Sequence, residues 1–240
     1  MSSDMKKFLI LGLILCLAAG CKERSAAPAE SPVTLEPALD SLTAVKSART
    51  LPEEPVFDIQ TNLGTIKVRL YKDTPRHKAN FERLALSGYY DSLLFHRCIK
   101  GFVIQGGDPY TRDTSKVKLY GQGGPSYTLP AEMRDSLGQP LHRHKRGALA
   151  AARRGDLGNP FKESSGSQFY LVQDAAACTH LDGEYTVFGE TVAGLNVIDK
   201  IASVKTDRNG LPLSEVRIIS VQADNEWNKL GTDLAEKPTE

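Results

Sequence analysis

"FHRCIKGFVIQGGD" runs from Phe95 to Asp108. It reads as a strand that turns at Gly101 and stops at Gly106-Gly107. Arg97 and Gln105 nevertheless stand among Phe102, Val103 and Ile104, and no acid beside the arginine neutralises it. Taken alone, Arg97 would be a surface strand residue and Gln105 a turn residue. A cation held without a counter-charge among apolar neighbours instead suggests a group kept free for something outside the protein.

The ends of the chain are of another kind. Its 240 residues carry a net charge of +1, with 40% apolar and 25% charged residues, the balance of one soluble globular domain plus added segments. A charge near zero gives no general attraction to nucleic acid, and the basic run His142 to Arg146 is expected to be a solvated loop. At the N-terminus Lys6-Lys7 precede the apolar run "FLILGLILCLAA", then Gly20 and Cys21. A basic start, a short apolar stretch and a small-residue site form a secretory signal, too short to span a bilayer comfortably. The ending "LAAGC" resembles the lipobox of bacterial lipoproteins, which implies a signal peptide over residues 1–20 and lipidation of Cys21. By resemblance to enteric sorting rules, Lys22 implies a lipid anchor in the outer membrane of a bacterial cell envelope, facing the periplasm. Residues 21–55, rich in Ala, Pro, Ser and Glu, read as a flexible tether, and 224–240 as a polar tail in which only Trp227 could pack back. Residues 56–223 remain, enough for a core without staples. The two cysteines within them, Cys98 and Cys178, have no metal spacing and are expected to be buried small apolar residues.

Within that domain "FDIQTNLGTIKVRLY" alternates as a hairpin with its turn at Asn62-Leu63-Gly64. Thr74-Pro75 opens a helix with threonine as cap; Ala79, Phe81, Leu84 and Ala85 form its apolar face, His77 lies on its exposed side, and Gly88 ends it. Residues 167–172, 185–190 and 216–221 read as strands and 194–202 as a second helix. Many short strands with two isolated helices give a mainly β domain, an antiparallel barrel or sandwich closed at its ends. Tyr110 to Gly124 reads as a loop inserted at the rim. No P-loop, GxGxxG, HExxH, CxxC or GxSxG occurs, so no metal or cofactor is expected. The absence of heptads favours a monomer.

The opening stretch, extended to "FHRCIKGFVIQGGDP", resembles the signature segment of cyclophilin-type peptidyl-prolyl isomerases. The likeness continues through "GPSYTLPAE", "HKRGALAAARRGD", "ESSGSQFYLV", "HLDGEYTVFGE" and "GLNVIDKIA", from about Phe57 to Val221. It implies a closed eight-stranded antiparallel barrel capped by two α-helices, with a proline groove on its outer face. It also implies proline-containing polypeptides as substrates and rotation about the Xaa-Pro bond as the reaction, one that needs no nucleophile, metal or cofactor. Under the resemblance Arg97 is the catalytic donor, and Gln105 positions the substrate and supports the arginine. Phe102 and Val103 floor the proline pocket and Leu181 walls it, while Ala152 and Gln168 line the groove. Arg153 stands in place of an asparagine whose backbone grips the peptide, and adds charge to the rim. Tyr170 replaces the usual phenylalanine, adding a hydroxyl at the pocket. Tyr185 replaces a histidine at its edge. His180 replaces a tryptophan that in the family helps bind cyclosporin, so weak cyclosporin binding is expected. A non-catalytic module holding proline peptides in the same groove is the alternative.

Overall fold

The computed structural model describes residues 51–229. The expected signal peptide, Cys21, nearly all of the tether and the last residues of the tail lie outside the described residues. The hairpin forms as its alternation predicts. β1 (Val56–Thr61) pairs antiparallel with β2 (Gly64–Leu70), Val56 opposite Arg69 and Thr61 opposite Gly64. Phe57, Ile59, Ile66, Val68 and Leu70 turn inward and are wholly buried, while Asp58, Lys67 and Arg69 stay half-exposed. At the turn the Thr61 hydroxyl accepts from the Leu63 N–H at 3.1 Å and donates to the Gly64 carbonyl at 2.6 Å. Gly64 has φ 135°, and a Cβ there would lie 2.8 Å from Val197, so only glycine fits.

Seven further strands complete one sheet: β3 (Arg97–Cys98), β4 (Val103–Gly106), β5 (Thr128–Leu129), β6 (Ala148–Arg153), β7 (Ser164–Val172), β8 (Val187–Ala193) and β9 (Ile218–Ala223). All pairs are antiparallel, in the order β3-β4-β7-β6-β8-β2-β1-β9, with β5 pairing the start of β7 off this path. The expected closed eight-stranded barrel is therefore corrected to a nine-stranded sheet curled into an open half-barrel. Its two ends meet only where Leu94 bridges Arg217, with Ile218 N–H donating to Leu93 O at 2.7 Å and Phe95 N–H to Val216 O at 2.8 Å. Ser92, with a left-handed φ of 66°, joins this contact by donating its N–H to Ile218 O at 2.9 Å, and the two-residue β3 follows it.

α1 (Pro75–Leu86) crosses the concave side, and its buried face is His77, Phe81, Leu84 and Ala85, the i, i+4, i+7, i+8 stripe of a half-buried helix. His77 was expected outside and Ala79 inside; the reverse holds. Phe81 sits at the centre of the core, its ring 5.2–5.8 Å from Phe57, Tyr90, Phe169 and Phe188. The expected cap is also replaced. The Thr74 hydroxyl donates to Tyr71 O at 3.3 Å, and the Glu132 carboxylate accepts the Arg76 and His77 N–H groups, both at 3.0 Å, and the His77 ring at 2.6 Å. The far end closes as foreseen: Gly88, φ 69°, donates to Ala85 O at 3.0 Å, and Tyr89 to Leu84 O at 2.9 Å. α2 (Ala175–Cys178) is a single extra turn, and α3 (Leu195–Ala202) covers β2 and β4. The start of the tail is not loose. Residues 225–229 are helical, and the Asn228 amide accepts from Val56 N–H at 2.7 Å and donates to Val56 O at 3.1 Å.

Burial raises the Glu132 pKa, but the hydrogen bonds from the His77 ring and the two N–H groups outweigh it and hold the carboxyl below its ordinary value. Its stabilising contribution is thus full above the unfolded glutamate value of ~4.3 and fades as pH falls through the lower folded value. Glu132→Ala is expected to lower the unfolding free energy by about 1–3 kcal/mol at neutral pH. In urea titrations that deficit should shrink on acidification below about pH 4.

Candidate active site

Neighbouring residues on a strand face opposite sides of the sheet. Cys98, Ile104, Leu149, Ala151, Phe169 and Leu171 thereby join the main core under α1. Their neighbours Val103, Ala148, Ala150, Ala152, Tyr170 and Val172 build a second apolar cluster on the convex face, joined by Cys178, Leu181 and Val187 and covered by Phe102 and Tyr185. Register aligns the parts: Arg97 opposes Gln105, Gln105 opposes Tyr170, and Tyr170 opposes Ala150. The alanines of β6 add little bulk to this face, so the aromatic rings can line a slot.

Arg97 stands at the slot with its guanidinium carbon 5.7 Å from the Phe102 ring centre. Among the described residues it has no carboxylate partner and no side-chain hydrogen bond. The exposed His180 ring lies parallel to Phe102, at 6.2 Å. Leu181 is buried, and Tyr185 meets Tyr170 edge-on at 6.0 Å. Gln105 is in a strand rather than a turn. Its amide donates to Gln168 at 3.0 Å rather than supporting the arginine directly, and Gln168 donates in turn to the carbonyls of Gly121 at 3.0 Å and Gly123 at 2.7 Å. Those two glycines are fixed from below. The fully buried Asp108 carboxylate accepts the N–H groups of Tyr110, Gly121 and Gly123. The loop from Tyr110 to Gly124 is therefore no free rim insertion but one wall of a groove of about 640 Å³, which Gln105, Gln168, Ala152 and Arg153 also line.

Arg153 adds little free charge there. Its side chain is 5% exposed, and its guanidinium donates to Glu184 O at 2.9 Å, pairs with Asp156, and lies 4.4 Å over Tyr185. In the basic run Arg143, Lys145 and Arg146 are exposed as a solvated loop requires, but the two histidines are not. His142 stacks on Tyr71 at 4.1 Å and pairs with Asp73 at 2.8 Å. His144 is buried beneath the slot. Its Nε2 is 2.8 Å from the Tyr170 hydroxyl and its Nδ1 2.8 Å from Asp182, which also accepts the His144 backbone N–H at 2.8 Å. The Tyr170 hydroxyl thus points to His144, and its ring faces the slot. Burial pushes the Tyr170 phenol well above its usual range and lowers the His144 imidazole, which Asp182 opposes by favouring the charged form. The arrangement is then Asp182 carboxylate accepting from Nδ1–H and Nε2 accepting from the phenol. His144, Asp182 and Asp108 were not singled out from sequence. The one signal was the tyrosine at 170, whose buried hydroxyl needs a partner. Cys98 and Cys178 are free and buried, with burial pushing their thiols up to about 12 and about 11. Among the described residues no group of three or more His, Cys, Asp or Glu is placed to share a metal.

Residues 56–223 match the family model described as cyclophilin type peptidyl-prolyl cis-trans isomerase/CLD. The chain is 34% identical over 174 residues to the Arabidopsis thaliana peptidyl-prolyl cis-trans isomerase CYP18-2, covering 72% of this chain and 96% of that protein. Against the Rhizopus delemar peptidyl-prolyl cis-trans isomerase-like 2 it is 40% identical over 165 residues, 68% of this chain but only 28% of that longer relative. A crystal structure of the Cryptosporidium parvum cyclophilin type isomerase, determined in the presence of the dipeptide Ala-Pro, superposes with a TM-score of 0.60 at 29% identity, covering 71% of this chain and 99% of that one.

Tyr170→Phe keeps the ring but leaves the His144 Nε2 buried without its donor. It is expected to lower stability by about 1–3 kcal/mol in chemical denaturation at neutral pH, while the slot retains its shape and peptide turnover changes by less than about threefold.

Proposed function

Because the chain belongs to the cyclophilin-type peptidyl-prolyl cis-trans isomerase family and is therefore an isomerase, we propose that Arg97 drives the turnover by donating to the prolyl nitrogen of a polypeptide held across the slot. Rotation about Xaa-Pro meets a barrier of ~18–20 kcal/mol because twisting destroys amide resonance. As the bond twists, the nitrogen becomes pyramidal and regains a localised lone pair. A fixed donor aimed at that lone pair favours the twisted state over either planar one, and only such a difference accelerates the step. Arginine suits the role, being charged at every working pH with several donors on a rigid fork.

The observation that carries this reading is the Arg97 guanidinium beside Phe102, without a carboxylate among the described residues. Around it Phe102, Val103, Tyr170 and Leu181 hold the pyrrolidine ring, Tyr185 edges the slot, and Gln105, Gln168, Ala152 and the Arg153 backbone hold the flanking peptide. Ala-Pro in the related crystal structure supports a proline-containing ligand. His180, flat on Phe102, gives weaker cyclosporin binding than the family's tryptophan. The substrates are unfolded or newly exported envelope proteins, reached by a monomeric domain that a lipid on Cys21 anchors to the outer membrane.

Arg97→Ala is expected to cut kcat/KM for a short Ala-Pro peptide by about 10²–10³ in a protease-coupled assay, with the folded state unchanged by circular dichroism. Undiminished turnover would remove the arginine step and leave the enzyme class standing. For the anchor, metabolic fatty-acid labelling in a bacterial host should mark the protein and disappear in Cys21→Ala.

A further inference from the structure

Beyond β3, on the side of Arg97 away from the Gln105–Gln168 groove, lies a second depression of about 480 Å³. It is lined by Arg97, Lys100 and Arg208, with Asp207 as its one acid. None of these three cations has a carboxylate within ion-pair distance among the described residues. Asp207 is committed elsewhere, since its Oδ1 accepts the N–H groups of Asn209 at 2.8 Å and Leu211 at 2.9 Å and so shapes the turn. That turn is fastened to the catalytic strand by Cys98 N–H donating to Gly210 O at 2.8 Å. Gly210 holds φ 83°, and a Cβ there would lie 3.3 Å from Ile99 and 3.5 Å from the Arg97 stem. The depression and the catalytic side chain therefore share a wall.

We propose that this depression is a subsite for an acidic side chain of the polypeptide substrate, on the flank of the prolyl bond opposite the Gln105–Gln168 groove. The inference rests on the isomerase reading above. A peptide crossing the slot has one flank in the groove, where Arg153 is neutralised by Asp156 and Glu184 and the lining sets Glu163 against Arg154, and the other over Lys100 and Arg208, where the charge is open. With Arg97 given to the prolyl nitrogen, Lys100 and Arg208 against the turn-bound Asp207 leave one positive charge, which matches a single negative side chain. Lys100 and Arg208 touch flanking residues rather than the twisting bond, so they bind ground and transition states alike, and the effect falls on KM with kcat unchanged.

The experiment uses the full chain and Xaa-Pro peptides carrying Glu or Gln at each of the two positions before and the two after the proline. Glu on one flank only is expected to lower KM by about threefold to tenfold relative to Gln at low salt, with the gain shrinking at 0.5 M salt. Lys100→Glu and Arg208→Glu should each reduce the Glu:Gln ratio, and together invert it. Arg76→Glu, the same charge change on an exposed residue outside both cavities, should leave the ratio in place. Equal KM values for Glu and Gln on both flanks, a gain on both flanks alike, or a ratio untouched by the paired reversal would each overturn the subsite. Turnover of the Gln peptides reports the isomerase reading separately.

Discussion

The pleat of β4, β6 and β7, held in one register, is the constraint on which the molecule depends. A strand places successive side chains on opposite faces, so the residues that fill the core and those that build the slot are interleaved along the same few strands. Phe169 and Leu171 lie under α1 while Gln168, Tyr170 and Val172 face out. A slip of one residue would exchange the two sets, moving a glutamine into the core under α1 and phenylalanine onto the slot face. Packing around Phe81 therefore sets the position of the site as firmly as any contact within it. The open sheet suits this division of labour, since its concave side is filled by α1 and its convex side is free to carry a groove.

Apolar packing alone would not hold the slot to the tolerance that differential stabilisation requires. Buried polar groups supply the remainder. Asp108 gathers three N–H groups beneath the groove wall, Gln168 couples that wall to Gln105, and His144 ties the Tyr170 ring to the segment carrying Leu181. Such networks are costly when incomplete and rigid when complete. Arg97 stands outside these networks. Among the described residues its guanidinium rests by an aromatic ring without an internal acceptor, so its hydrogen-bonding capacity is available to an incoming amide.

Much of this was legible in the chain itself. The hairpin, the ends of α1, the buried cysteines and the run of motifs that places Arg97, Phe102, Val103, Gln105, Gln168, Tyr170 and Leu181 together follow from local pattern and resemblance. What escaped was of two kinds. Polar groups with distant partners look like surface residues in a linear reading: His77 and His144 are both buried because Glu132 and Asp182, dozens of residues away, receive their ring nitrogens. Glu132 likewise took over the cap for which Thr74 was the local candidate. Closure of the sheet also depends on how far two remote segments run side by side, which neither segment's own pattern reveals.

The exchange between Asn228 and both backbone atoms of Val56 brings the first and last elements of the described residues to one corner. Entry and exit points so close together make the fold, in effect, a loop with a clasp. Such a unit can be spliced into a host protein's surface turn, or cut open elsewhere and rejoined at the clasp, without stretching the half-barrel.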